Sequence, residues 1–221
     1  MTLEEAIKGR RSIRKFKEAP IPEETIRAIL DQARWAPSWG NTQPWEFYIL
    51  TGDSLEKYKK GIVEKMANGE AYASDIPMPE VWPDHLKKRY GETGKIVLSS
   101  MGIEREDKDS RHRFYEEMAV LFGAPCLVVG CIPKDVRIEY AMLDMGLIIQ
   151  TICLAACNKD IGSCIMAASV GYASLLRQIG AIPENRLIAM GIALGYADAN
   201  NPINMFSRVR MAMSEMVTWV G

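Results

Sequence analysis

The sequence predicts a mixed helix-and-strand protein that is not a doubly wound nucleotide fold. Helical patterns come in pairs, and the strands are separated by unequal helical blocks, so the regular strand–helix alternation of a parallel α/β sheet is missing. Cys126 to Ile132 is a continuous apolar run of strand length, which suits a central strand covered on both faces. Tyr140 to Cys157 is apolar nearly all round, as in a helix buried on every side, either in a large core or in a subunit interface. With 221 residues, 48% of them hydrophobic, the chain is long enough to bury such a core as one domain spanning 1–221.

The elements follow in order. Thr2 and Glu5 have capping-box spacing and open a short helix that ends at Gly9. Next comes Arg10-Arg11-Ser12-Ile13-Arg14-Lys15-Phe16, with four cations and a hydroxyl within six residues. If this heptad is extended, Arg10, Ser12 and Arg14 share a face, and forked guanidinium donors suit phosphate oxygens. Taken alone, it is better read as a solvated basic turn. Pro20-Ile21-Pro22-Glu23-Glu24 opens a second helix with Ile26, Ile29, Leu30 and Ala33 inward, stopped by Pro37. The loop Pro37–Pro44 leads into a strand over Trp45–Leu50, and Ser54 is the expected cap of a third helix. Residues 68–121 read as an insertion or cap: an irregular stretch with Pro77, Pro79 and Pro83, then helical patterns near Asp84–Ser100 and Asp107–Leu121. Beyond the 140–157 helix, Asp160–Met166 reads as a strand, Ser174–Gln178 as a helix closed by Gly180, and Leu187–Leu194 as a strand. The tail carries Arg208 and Arg210, two apart.

Composition excludes several classes. A formal net charge of -1 gives no electrostatic reason to expect nucleic acid or an anionic membrane surface as partner. Five cysteines without a CxxC pair point to free thiols in a reducing, cytoplasmic compartment, and no signal peptide is visible. The 140–157 stretch is interrupted by Asp144 and Gln150 and is not expected to span a membrane. The only two histidines, His85 and His112, sit among Lys and Arg, so no metal site is expected. No GxGxxG opens a helix and no P-loop is present, so phosphate binding must come from arginine side chains.

Three separated pieces then need one explanation: Arg10–Phe16, the loop Ala36-Pro37-Ser38-Trp39-Gly40-Asn41-Thr42-Gln43-Pro44-Trp45, and Arg208-Val209-Arg210. Together with Phe122-Gly123-Ala124-Pro125, Asp144-Met145-Gly146 with Gln150, and Gly191–Tyr196, they resemble the FMN-dependent nitroreductase family over nearly the full length. Arg89–Pro125, with Gly102–Asp107 inside it, is similar to the nitrobenzoate reductase branch.

The resemblance implies an α+β fold with a central mixed or antiparallel sheet flanked by helices. It also implies a homodimer with FMN at its interface and the long apolar helix contributing there. Carried over by position, Arg10, Ser12, Arg208 and Arg210 would hold the FMN phosphate, with Arg11 in the cofactor-binding set and Arg14 near the flavin pyrimidine. Pro37, Ser38 and Trp39 would come from the other subunit, with Asn41 and Gln43 near the ring. Met166 and Ala167 would supply a backbone N–H close to flavin N5, although the polar run that many members carry there is replaced by Ile165-Met166-Ala167. The family's mid-chain contact to the pyrimidine has no clear counterpart.

The implied activity is NADH- or NADPH-driven reduction of nitroaromatics, quinones or similar electron-poor acceptors in two half-reactions. Flavin carries the hydride, and the protein supplies position and electrostatics. No side chain is required as a catalytic acid, base or nucleophile. A flavin-dependent dehalogenase or dehydrogenase on the same scaffold, and a non-catalytic flavin-binding protein, are the alternatives.

Overall fold

The computed structural model describes all residues, Met1–Gly221. Its centre is a four-stranded sheet of β1 (Glu46–Thr51), β2 (Cys126–Pro133), β3 (Gly162–Met166) and β4 (Arg186–Gly195), all antiparallel, in the spatial order β1-β2-β4-β3. The apolar run 126–132 is a central strand, as expected. Leu127, Val129 and Cys131 point into one core, and Cys126, Val128 and Ile132 into the other. Gly130 faces Met190 while Cys131 faces Ile188, which leaves Ala189 unpaired in a β-bulge that bends β4.

Helices cover both faces. In chain order they are α1 (Leu3–Gly9), α2 (Glu23–Ala33), α3 (Gly52–Ala67), α4 (Asp84–Ser99), α5 (Lys108–Ala119), α6 (Ile138–Cys157), α7 (Ala173–Gly180) and the single turn α8 (Met213–Met216). α2 and α6 pack together over one face, burying Ile26, Ile29, Met145, Ile148 and Ile152. α3 and α7 cover the other through Leu55, Tyr58, Ile62 and Leu176.

Local chemistry explains most boundaries. The capping box of α1 is formed: the Thr2 N–H donates to Glu5 Oε2 at 2.7 Å, and the Glu5 N–H to Thr2 Oγ1 at 3.2 Å. Three expectations need correction. α2 ends at Ala33, ahead of Pro37, because Arg34 and Trp35 already turn the chain. α3 begins at Gly52 with Thr51 before it, and the Ser54 hydroxyl donates to the Thr51 carbonyl at 2.9 Å, so Ser54 lies inside the helix and does not cap it. α7 closes on Ala181, which takes the left-handed conformation (φ 49°), while Gly180 remains helical.

Within the single chain, α6 is buried on one side only. Ala141, Asp144, Met145, Ile148, Ile149 and Ile152 are buried, but Tyr140 and Leu143 are 56% and 60% exposed and Leu147 is also open. Length and composition alone would let this helix cross a membrane, yet its inner face packs on α2 and the sheet. Residues 68–83 are tied to the core at several points. Ala73 bridges to Tyr172, and the Asp75 carboxylate binds the Arg177 guanidinium and the Ile188 N–H at 2.8 Å. α4 beyond them buries only Val97.

Candidate active site

The basic heptad is stitched to the sheet by its two apolar residues. Ile13 and Phe16 are buried, and the Ile13 N–H donates to the Ser163 carbonyl at 2.9 Å, where Ser12 makes a parallel bridge to Ser163. The Lys17 N–H reaches the Tyr196 carbonyl at 2.8 Å. Anchoring Ile13 inward leaves Arg10, Arg11, Ser12 and Arg14 half-exposed beside the start of β3.

The C-terminal tail completes this corner. Asn204 is buried, and its amide donates to the Lys15 and Asp198 carbonyls at 2.8 and 2.9 Å while its oxygen accepts the Arg14 N–H at 2.8 Å. Phe206 lies under two guanidinium groups, Arg11 at 5.1 Å and Arg14 at 5.9 Å, and its carbonyl accepts from Arg11. The Arg208 guanidinium donates to the Lys8 and Arg10 carbonyls at the end of α1, where a cation also suits the helix dipole. Arg208 therefore fastens the tail as well as adding charge. Asn204 and Phe206 were not foreseen, and nothing in Asn201-Pro202-Ile203-Asn204 distinguishes it in sequence from an ordinary polar turn.

Between these pieces lies a cavity of about 140 Å³. Arg10, Arg11, Ser12 and Arg14 form one wall, Ser207–Arg210 another, and Thr93 and Ile96 of α4 a third. Five arginines and no carboxylate line it, and none of the five makes an ion pair. Burial, then the nearby Arg208 and Arg14 charges, lower the pKa of Arg11; burial, Arg210 and Arg10 do the same to Arg208. Arg11 Nε is the one buried side-chain polar atom without a partner. Crowded, uncompensated guanidinium groups with donors to spare fit an anion with several oxygens, such as a phosphate monoester.

The second expected group is arranged differently. Pro37, Trp39, Asn41 and Gln43 are exposed, Trp39 by 69%, and none of Pro37–Gln43 lines the arginine cavity. The loop is nevertheless well defined. The Trp39 N–H donates to Oδ1 of the buried Asp144 at 2.9 Å, and the Trp39 ring sits 5.9 Å from Tyr140. The Gln43 N–H donates to Ser38 Oγ at 2.9 Å. Gly40, Asn41 and Gln43 all have positive φ (57°, 58° and 49°); Gly40 adopts it freely, and the backbone strain falls on Asn41 and Gln43.

Met166, the third expected contact, ends β3 and is buried, and Ala167 opens the short 3-10 turn Ala167–Val170. Ser163, bonded to the heptad, lies about 13 Å along β3 from Ala167 at the rise of an extended strand. The structure thus gathers Arg10, Arg11, Ser12, Arg14, Arg208 and Arg210 at one cavity, sets Met166–Ala167 a few residues along the adjoining strand, and leaves Pro37–Gln43 on the outside.

A central antiparallel sheet between helical layers, with an arginine cavity at one corner, defines an α+β protein equipped to hold a phosphate-bearing ligand. Residues 7–196 match the model of the nitroreductase family, and the chain belongs to that family. It is 31% identical to 4-nitrobenzoate reductase of Nocardioides sp. (strain LMS-CY), over 97% of this chain and 88% of that protein. Its fold superposes with TM-score 0.92 and 32% identity on the FMN-dependent nitroreductase NfnB from Mycobacterium smegmatis, solved in complex with NADPH, covering 99% of this chain and 97% of the other. The FMN and NADPH-dependent nitroreductase NfnB from sphigopyxis sp. strain HMH gives TM-score 0.95 at 25% identity over 100% of both chains.

Proposed function

We propose that the protein is an FMN-dependent oxidoreductase that takes reducing equivalents from NADPH or NADH and reduces nitroaromatics or similar electron-poor acceptors in two half-reactions. The observation that carries this is the arginine cavity without a counter-charge, in a chain of the nitroreductase family. Relatives named for 4-nitrobenzoate and for FMN- and NADPH-dependent reduction support both the acceptor class and the cofactor.

FMN, when bound, supplies the hydride chemistry. The chain's residues bind and orient it. Arg10, Arg11, Ser12, Arg208 and Arg210 hold the phosphate, with Arg208 also keeping the tail in place. Arg14 lies towards the pyrimidine, where a fixed cation favours the negatively charged reduced ring. Its backbone is held by Asn204 and its guanidinium lies over Phe206, so the charge is pre-positioned. Met166–Ala167 would offer backbone to the flavin N5 edge.

The functional unit is a homodimer in this reading. Pro37, Ser38 and Trp39 face the flavin of the other subunit, with Asn41 and Gln43 near the ring and Trp39 lining the acceptor site. The exposed Tyr140, Leu143 and Leu147 on α6 give the apolar surface such an interface needs. Residues 68–121 act as a cap on a single 1–221 domain, a role supported by Thr93 and Ile96 at the cavity. The five free cysteines, with Cys126 and Cys131 pushed up to about 12 by burial, favour a reducing, cytoplasmic location.

The test is flavin identity with turnover. The purified protein should be yellow, release FMN and not FAD on denaturation, and oxidise NADPH or NADH with 4-nitrobenzoate or a quinone as acceptor. Released FAD, or an FMN-loaded protein that turns over none of these acceptors, would contradict the assignment.

A further inference from the structure

The turn Ala167–Val170 is held by a buried polar chain that no part of the phosphate site uses. Tyr58, fully buried on α3, donates its hydroxyl to the Ser169 carbonyl at 2.8 Å. Ser169, 1% exposed, donates its own hydroxyl back to the Met166 carbonyl at 2.6 Å. That hydroxyl occupies the space a side chain at Gly191 would need: a Cβ there would lie 1.9 Å from Ser169 Oγ. Gly191 is the β4 partner of Met166, so the missing side chain of one strand makes room for the hydroxyl that fixes the end of its neighbour. The far end of the turn is also gripped. A Cβ on Gly171 would lie 2.5 Å from the Tyr72 ring, and the Gly171 carbonyl accepts the Ala73 N–H at 2.7 Å.

Such a chain is costly to leave half-made in a low-dielectric core, and fully made it rigidifies what it holds. Its bonds end on the Met166 carbonyl, which belongs to the Met166–Ala167 peptide. We infer that Ser169, supported by Tyr58, is a positioning residue that fixes the Met166–Ala167 peptide against the cofactor and thereby sets the reduction potential of the bound flavin. This rests on the proposed placement of flavin N5 beside Ala167. A peptide N–H held at N5 donates to the lone pair of the oxidised ring. Reduction places a proton on N5, so a fixed donor favours the oxidised form. Loosening the turn releases that preference.

The experiment uses the FMN-loaded protein and its variants Ser169→Ala, Tyr58→Phe and Tyr172→Phe. Tyr172 loses a comparable phenol contact, its 2.9 Å bond to the Glu70 carbonyl, without touching the Ser169–Met166 link. FMN content of the parent protein is measured first, then the two-electron midpoint potential of each protein and amide hydrogen exchange of the apoproteins over residues 166–170. In Ser169→Ala, oxidised FMN should bind five- to tenfold more weakly and reduced FMN as before, a rise of about 20–30 mV for a two-electron couple. Tyr58→Phe should shift the same way by less, and both should exchange faster in the turn. Tyr172→Phe should leave the potential unchanged. Potentials equal in all four proteins, with the variants merely less stable, or a shift in Tyr172→Phe as large as in Ser169→Ala, would overturn the inference while leaving the FMN assignment intact. A parent protein that holds no FMN would overturn both.

Discussion

The arginine cavity and the Pro37–Gln43 loop are built in opposite ways. The cavity is assembled inside one chain from three distant segments, and three of its five guanidinium groups are placed by contacts within the chain: Phe206 under Arg11 and Arg14, and the end of α1 against Arg208. The loop is equally well defined, by Asp144 and Ser38, yet it presents its large side chain to solvent and encloses nothing. In the proposed dimer, the first half of the site is built within one chain and the second is built across the interface. A hydrogen-bonded loop carrying an exposed Trp beside an exposed apolar helix face suits the interface role proposed for it.

The sharpest way to break that contrast is to remove one anchor from each half. Arg208→Ala should weaken FMN binding about 10–150-fold, since a charge-assisted contact contributes about 1.5–3 kcal/mol, and should weaken riboflavin by much less, through the loosened tail alone. Lys15→Ala is the matched control. Lys15 meets Glu117 at 3.7 Å with both side chains about half exposed, a pair that contributes little. Equal FMN dissociation constants for these two variants would remove the phosphate role.

Asp144→Ala should act on the other half. It strips the Trp39 N–H of a buried acceptor, at a cost of about 1–3 kcal/mol in loop order. FMN and riboflavin should weaken together, and Asp144→Asn, which keeps an acceptor, should recover most of the loss. If Asp144→Ala weakened only FMN, the two regions would not be separate.

FMN should also stabilise the dimer by linkage if the loop reaches the other subunit's flavin. Sedimentation over a dilution series should show holo dimer persisting to lower concentration than apo dimer; a monomer that binds FMN with full affinity would place the whole site in one chain. A smaller effect is expected of pH. The Glu46 pKa is lowered, first by its hydrogen bond from Arg186. A depressed carboxyl contributes stability above its unfolded pKa, and that contribution is lost as pH falls through the folded value. Because Glu46 is partly solvated, replacing it with Gln should alter the acid unfolding midpoint only slightly.

The two halves also differ in how far the sequence revealed them. The heptad was legible as a run of cations, but on its own it read as a solvated basic turn, and it gained a role only beside Pro37–Trp45 and Arg208–Arg210; the inward anchoring of Ile13 and Phe16 came from the structure. The central strand 126–132 was legible outright, since a run apolar on both faces has only one place to go. The outer face of α6 was legible only as core or subunit interface, because an apolar residue reads alike whether it meets the core or stays on the surface of the single chain. Asn204 and Ser169 were hidden too. Their roles depend on carbonyls of Lys15, Asp198 and Met166, and backbone acceptors leave no mark in a sequence. Gly191 carries the clearest missed signal, a glycine inside a strand, which marks a close approach without saying what approaches.

The central claim is that the arginine cavity exists for the single phosphate of FMN. Titrating the apoprotein in parallel with FMN and riboflavin, followed by flavin fluorescence, tests it most directly, because the two ligands share the ring and ribityl arm and differ only in the phosphate. FMN should bind at least about 100-fold more tightly, roughly 3 kcal/mol or more. Equal affinity for the two would mean that the five arginines serve something other than the flavin.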